Sequence, residues 1–260
     1  MMYKANYSTN LTEKQLQVIE KLLENKTRKR KHSIAEIINA IYYLLKTGCQ
    51  WRMLPLNFPK WQLVYYYYNK WKNEGVFEEI NDILRDTVRK QQGRAYSPSV
   101  GLIDSQSVKT TRTGGEERGV DGGKKIKGRK RHIITDVNGL LLTVVVHAAN
   151  VHDSKAASEV ISTLNHRFDR MKKIYADGGY RGELVDNVKN RLGWDMEITL
   201  RSDKPGEFKP LPKRWVVERT FSWLENFRRL AKDYEYTISS SQAMIHLAFI
   251  MIMLNKINFK

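Results

Sequence analysis

Three acidic residues stand where their surroundings make a carboxylate costly. Asp104 ends the apolar run VGLID, Asp177 closes MKKIYAD ahead of the glycine pair in YADGGYRG, and Glu218 lies in the amphipathic segment RWVVERTF. A carboxylate beside a core is unfavourable unless it is hydrogen-bonded, paired or holding a metal. Two aspartates at strand ends and a glutamate on a packed helix form a set of hard oxygen donors. Mg²⁺ takes such donors together with water and substrate phosphates. Two such ions can activate a water or a 3′-hydroxyl and stabilise the leaving oxygen of a phosphodiester. Spacing alone leaves the set open. Glu225 lies one heptad beyond Glu218 on the same helix face. Asp136 and Asp153 are further candidates by position, and Asp153, just before Ser154, also suits a cap or turn.

Between the two aspartates runs GGKKIKGRKRH, carrying Lys124, Lys125, Lys127, Arg129, Lys130 and Arg131. A glycine-flexed basic loop suits a phosphate backbone, because cationic tips on a pliable chain can follow a curved polyanion. A nuclear-localisation-like run and a plain solvated loop are the competing readings. The chain as a whole is basic: 45 Lys and Arg against 28 Asp and Glu in 260 residues, a net charge of +17 spread over both halves. Such an excess favours a polyanionic partner, nucleic acid ahead of a membrane surface or an acidic protein. A charged surface that only aids solubility is the alternative. Cys49 is the one cysteine, which excludes an intrachain disulfide and a cysteine zinc cluster. His132, His147 and His152 straddle an expected hairpin and turn, a spacing that argues against zinc. The N-terminal MMYKANYSTN has no apolar leader, and the longest apolar run, Ala243 to Leu254, is too short to span a bilayer. The expected location is the cytoplasm.

Residues 1–95 read as helical. Thr12 is placed to cap LTEKQLQVIEKLLE, and Ser33 with Glu36 three residues on opens a second helix that Gly48 stops. The aromatic and basic stretch KWQLVYYYYNKWKNEG, with Lys60, Lys70 and Lys72, suits a third helix. This order fits a helix-turn-helix-like module whose last helix enters the major groove. It fits equally a plain bundle with Trp61, Tyr65, Tyr68 and Trp71 in its core. Past Pro98 the period changes. VGLID is a short strand, HIITDV and LLLTVVVHAA form a hairpin across Asn138-Gly139, and SKAASEVISTLNHRF is a helix capped by Ser154. MKKIYAD and DMEITLRSD are strands flanking the helix RGELVDNVKNRLG. One long helix covers RWVVERTFSWLENFRRLAKDY, and an apolar helix closes the chain. The order predicts an α/β fold, a ribonuclease H-like mixed sheet flanked by helices. Ligands of open α/β sheets collect at the carboxyl ends of strands, where Asp104 and Asp177 are expected.

The strings STNLTEKQLQVIEKLL, IINAIYYLLKTGCQWRMLP, GLIDSQSVK, GGKKIKGRKRHIITDVNGLLL, ANVHDSKAA, ADGGYRG and RWVVERTFSWLENFRRLAKDYE together resemble the IS5-family transposases of bacterial insertion sequences. The resemblance runs through nearly the whole chain. It implies a DDE transposase whose ribonuclease H-like domain uses two divalent ions, normally Mg²⁺ with Mn²⁺ able to substitute. The family's acidic triad falls on Asp104, Asp177 and Glu218, and residues 1–95 look like its end-binding domain, leaving 96–260 as the catalytic domain. Against the Tyr, Arg, Glu, Lys signature of the related IS4 type, Arg214 and Glu218 match, whereas Leu211 and Glu225 replace the Tyr and Lys. No role of that Tyr or Lys carries over. Many relatives are split over two reading frames; both regions stand in one frame here, so the chain is expected to be complete.

The expected activity is binding of terminal inverted repeats, metal-assisted nicking, and joining of 3′-hydroxyls to target DNA. Lys124 to Arg131 would hold DNA backbone near the site. Arg214, Arg219, Arg228 and Arg229 are further candidates for phosphate contacts or structural pairing. Double-stranded DNA is the expected partner, and joining two ends implies at least a homodimer in the active complex. A non-catalytic DNA-binding protein derived from such an element, or a metal-dependent nuclease that cuts without joining, are the alternatives.

Overall fold

The computed structural model describes residues 7–23, 31–199 and 214–259, and of Arg214 the backbone alone. Leu211, most of the basic stretch after the first helix, and the RSD end of the last expected strand lie outside the described residues.

Four helices come first: α1 (Glu13–Leu23), α2 (Ile34–Thr47), α3 (Trp61–Asn73) and α4 (Val76–Gln91). Thr12 caps α1 as its sequence predicts. Its hydroxyl accepts the Gln15 backbone N–H, and the Gln15 side chain accepts the Thr12 N–H. A capping box of Ser33 and Glu36 opens α2, and Gly48 at φ +72° ends it. The aromatic helix α3 divides by face. Tyr68 and Trp71 are buried, Trp61 is half-buried, and Tyr65 and Tyr66 are exposed. The bundle reading thus holds for one face of α3 and leaves the other to solvent.

The sheet is built from β1 (Val100–Lys109), β2 (Gly119–Asp121), β3 (Ile126–Thr135), β4 (Leu141–Ala148), β5 (Lys173–Asp177) and β6 (Asp195–Thr199). β1 is antiparallel to β3, whose other edge pairs first with the short β2 at Ile126 to Gly128 and then with β4 from Arg129 on. On its other side β1 runs parallel to β5, and β5 parallel to β6. The resulting order β4-β3-β1-β5-β6 is the expected ribonuclease H-like mixed sheet. The β3–β4 hairpin turns at Asn138-Gly139, with Gly139 at φ +81°. One Asp136 oxygen accepts the N–H groups of Asn138 and Leu140 there.

Period-two alternation divides the strands between two cores. Ile103, Ile134 and Val145 pack under α5 (Asp153–Ser162) and α6 (Glu183–Leu192). Leu102, Ile133 and Val146 face α7 (Arg214–Glu225), α8 (Ile238–Leu254) and the N-terminal helices. The apolar α8 is buried along nearly its whole length, packed against α4 and β4. The helical segment and the sheet therefore share one core. No helix among the described residues is long and apolar enough to cross a membrane.

Several boundaries differ from expectation. β1 continues past Asp104 to Lys109, because β3 offers backbone partners along that whole length. The expected basic loop is mostly strand, since β3 starts at Ile126. Gly128 is required there by close approach, not by flexibility: a Cβ would lie 1.9 Å from the Val108 carbonyl oxygen. α5 is capped by His152, whose ring nitrogen accepts the Ser154 N–H, and not by Ser154. The long last amphipathic helix stops at Glu225, and a single 3₁₀ turn covers Arg228–Leu230. The break lets Arg229 turn inward to Glu235 at 2.7 Å and to the Cys49 carbonyl at 3.1 Å.

Candidate active site

β1 and β5 pair from Val100 opposite Lys173 to Leu102 opposite Tyr175, and their pairing then ends. Asp104 and Asp177 each follow that last pair by two residues, so they occupy matching positions on neighbouring parallel strands. Asp104 lies within its strand and not at its end, yet it stands past the carboxyl end of the parallel pairing, where open α/β sheets place ligands. Both aspartates line one crevice with Leu102, Tyr175, Thr199 and Val217. One oxygen of each carboxylate takes a backbone N–H. Asp177 accepts from Gly179 at 2.8 Å, and Asp104 from Ser105 at 2.7 Å.

Val217 brings α7 to this crevice, and the next residue, Glu218, is exposed. Glu225, also exposed, meets the Gln106 side-chain amide at 3.5 Å. α7 thus runs beside β1 with both glutamates on an accessible edge. Among the described residues no three His, Cys, Asp or Glu side chains converge closely enough to hold an ion together.

The other face of β1 carries a polar network that sequence reading missed as a unit. Asp153 accepts from Ser105 at 3.1 Å and from Lys130 at 2.8 Å, while Lys130 also reaches the Val151 carbonyl. Burial tends to raise the Asp153 carboxyl, but the Lys130 ammonium together with His132 and Ser105 outweighs it, and the net shift is downward. Ser107 donates to Asp121 at 2.5 Å. His132 and His147 share a 2.7 Å hydrogen bond, and burial together with His147 pushes His132 down to about 3. The two rings hydrogen-bond to each other, and His152 serves as a helix cap. Tyr180 is buried, and its hydroxyl is pushed well up by burial and then by Asp104, Asp153 and Asp177. The available signals were the tyrosine three residues after Asp177 and the placement of Ser105, Lys130 and Asp153 on one face.

The cations expected to touch DNA separate into two groups. Lys124, Lys125 and Lys127 are exposed, and Lys124 reaches the Ser105 carbonyl, one residue from Asp104, at 3.5 Å. Lys60 and Lys70 are exposed on α3 and at its start, and Lys72 donates to Ser240 at 3.2 Å. Arg129, Arg131 and Lys130 correct the expectation. All three are buried in β3: alternation sends Arg129 and Arg131 to one face and Lys130 to the other, and both faces are covered by the rest of the protein. Arg129 donates to the carbonyls of Glu116, Glu117, Glu235 and Tyr236 and pairs with Asp233 at 3.4 Å. Arg131 donates to the Leu230 carbonyl. Of the further arginines, Arg229 is buried in its pair with Glu235, Arg228 is exposed, and Arg219 sits between Trp215 and Trp223. The Arg214 side chain lies outside the described residues. Asp136 is buried in an ion pair with Arg89 beside the hairpin turn, a structural role.

Comparison with known proteins bears on this arrangement. Residues 95–254 match the family described as "Transposase DDE domain", and residues 11–81 match "Putative transposase of IS4/5 family". A Burkholderia cepacia protein named "Putative transposase for insertion sequence element IS402" is 35% identical over 133 residues, which are 48% of this chain and 60% of that protein. A Brucella ovis protein named "Putative transposase for insertion sequence element IS6501" is 26% identical over 130 residues, 48% of this chain and 97% of that protein. The chain therefore spans about three fifths of the IS402 relative's length. Among solved structures, the Mos1 mariner paired-end complex with Mn covers 90% of this chain and 79% of that one at 11% identity, with a TM-score of 0.31. The Mos1 strand transfer complex covers 66% and 59% at 11% identity, with a TM-score of 0.25. Scores that low carry no weight in the assignment, which rests on the family matches over both segments. The chain belongs to the DDE transposases of the IS4/5 type.

Proposed function

We propose that the chain binds the terminal inverted repeats of an insertion sequence, nicks the strands by two-metal hydrolysis, and joins the freed 3′-hydroxyls to target DNA. One observation carries the reading: Asp104 and Asp177 stand at matching positions past the last paired residues of β1 and β5, and line the same crevice. The donors are hard carboxylate oxygens, and Mg²⁺ is commonly held by one or two carboxylates with water and substrate phosphates completing its shell. The residues therefore fit that ion, or Mn²⁺ in its place. Asp104 and Asp177 would hold the two ions, with Glu218 completing the set from α7. Bound there, divalent ions supply activation of the attacking oxygen and charge neutralisation at the leaving one.

The chain's own residues do the rest. The Ser105 and Gly179 N–H groups each orient one carboxylate oxygen. Lys124, Lys125 and Lys127 offer exposed charge to DNA backbone beside the site, Lys60 and Lys70 offer it elsewhere, and Lys72 and Arg214 are further candidates for phosphate contacts. Residues 1–95 would read the element ends and residues 96–260 would carry the chemistry, acting on double-stranded DNA in at least a homodimer.

The test is Asp104→Asn and Asp177→Asn on the full chain, with labelled element ends and Mg²⁺. Each variant should lose nicking by several orders of magnitude while binding the ends within about twofold of wild type, since neutral amides remove metal ligation and leave the cationic surfaces intact. Wild-type nicking by either variant would overturn the assignment. A strand-transfer assay on the same substrate separates a transposase from a nuclease, because only the former yields joined product.

A further inference from the structure

A second concave surface lies away from the carboxylates, in the seam between the start of α3 and the segment leading into α8. It has a volume of about 600 Å³ and is lined by Trp51, Arg52, Trp61, Tyr65, Tyr234 and Tyr236, with Lys72 at its wall. Aromatic groups are concentrated here, and several offer themselves to solvent: Tyr65 is 39%, Tyr234 44% and Tyr236 67% exposed. Trp51 stands edge-on to Tyr65 at 5.1 Å between centroids. Cations lie over them. The Arg52 guanidinium is 5.5 Å from the Trp61 ring, and that of Arg229 is 5.5 Å from the Tyr234 ring. Among the described residues of the lining the one carboxylate, Glu235, is already paired with Arg229, so Arg52 and Lys72 leave the groove net positive.

Exposed aromatic faces beside cations on a chain of net charge +17 match one ligand chemistry best. Single-stranded nucleic acid is bound by a cationic groove that tracks phosphates and by rings on which unpaired bases stack. A duplex satisfies its base faces internally and would use the cations alone. We infer that this groove binds unpaired nucleotides of a DNA strand. The inference rests on the proposal that the chain acts on DNA, and it adds a site to which neither the carboxylates nor the Lys124 turn contributes.

The fold supports the connection. Thr110, just past β1, bridges to Asp233, next to Tyr234, so β1 runs from the carboxylate crevice toward this groove. From Asp104 to Thr110 is roughly 20 Å of strand. A single DNA strand of a few nucleotides spans that distance. A strand freed by nicking could lie across both sites.

The experiment uses the full chain and three fluorescein-labelled probes: an oligothymidine dodecamer, an abasic dodecamer with the same phosphates, and a duplex of the same length. Wild type should bind the oligothymidine roughly tenfold or more tighter than the abasic strand, the gain expected from even one base stacked on a ring. The double variant Tyr65→Ala with Tyr236→Ala removes two exposed side chains and should keep the fold by circular dichroism. It should bring oligothymidine affinity down to the abasic level while duplex affinity stays within twofold. Arg52→Ala should weaken both single strands together. Equal affinity of wild type for oligothymidine and abasic strand would overturn the proposal, as would a parallel loss of duplex binding in the tyrosine variant. A proline-rich peptide that binds the groove more tightly than oligothymidine would also overturn it. Absence of duplex binding by wild type, with the base-dependent preference intact, would count against the wider DNA-end reading and leave the groove assignment standing.

Discussion

Asp104 and Asp177 meet because of strand register, so each depends on backbone placement as much as on its own carboxylate. Glu218 and Glu225 pose the finer question. They are one heptad apart, roughly 10 Å along the helix axis, and a metal shell with bonds of about 2.0–2.1 Å cannot readily use both for one ion. Val217 touches the aspartate crevice, while Glu225 is drawn toward Gln106 further along β1. Under the proposed assignment, Glu218→Gln removes Mg²⁺-dependent nicking of a labelled end and Glu225→Gln leaves it within a few-fold of wild type. The reverse pair of results would move the role to Glu225. Arg129 makes a contrasting case, a cation held by backbone carbonyls and by Asp233 at 1% side-chain exposure. Arg129→Met would strand those carbonyls and a buried carboxylate, at a cost of about 3–5 kcal/mol. Denaturant unfolding measures it. A variant of unchanged stability with weakened DNA affinity would return Arg129 to the DNA-binding set.

At the scale of elements, β3 joins the two sides of the sheet, and its central residue His132 carries a pH dependence. The ring is fully buried, stacked against His147, and held down to about 3 by burial and then by that neighbour. In the unfolded chain the same ring titrates near 6.5. Between these values the unfolded state binds the proton and the native state does not, so stability falls as pH drops below about 6.5. The contribution lost by pH 5.5 is about 1 kcal/mol from this ring. Melting temperature should therefore decline from pH 7 to 5.5 in wild type, and His132→Gln should show a shallower decline. An equal slope in the two proteins would show that another group is responsible.

The whole molecule is organised around α8. Its buried apolar side chains receive α4 from the N-terminal segment and β4 from the sheet, so one core crosses the proposed boundary at residue 95. A fragment of residues 1–95 would expose the face of α4 that carries Ile80, Leu84 and Val88, each nearly inaccessible in the full chain. Such a fragment should show reduced helicity by circular dichroism and a tendency to associate. A fragment that melts cooperatively as a monomer would show that the segment is an independent unit. End recognition is therefore best measured on the full chain.

The sequence by itself was informative wherever the determining interactions are local. Thr12, the Ser33 and Glu36 pair, Gly48 and the Asn138-Gly139 turn marked their element ends, because caps and tight turns are decided by neighbouring residues. The order of strands and helices determined the mixed sheet, and the quoted strings pointed to the transposase family. Tertiary structure alone decided which charged residues face outward. Arg129, Lys130 and Arg131 look like the tip of a basic loop in sequence, yet β3 extends through them because β1 and β4 supply partners on both edges. The inward side chains are then stabilised by carbonyls and carboxylates distant in the chain, up to the Glu235–Tyr236 segment. The match of Asp104 with Asp177 is likewise a matter of register between strands far apart in sequence. No spacing encodes it, since a one-residue slip would turn either side chain to the opposite face.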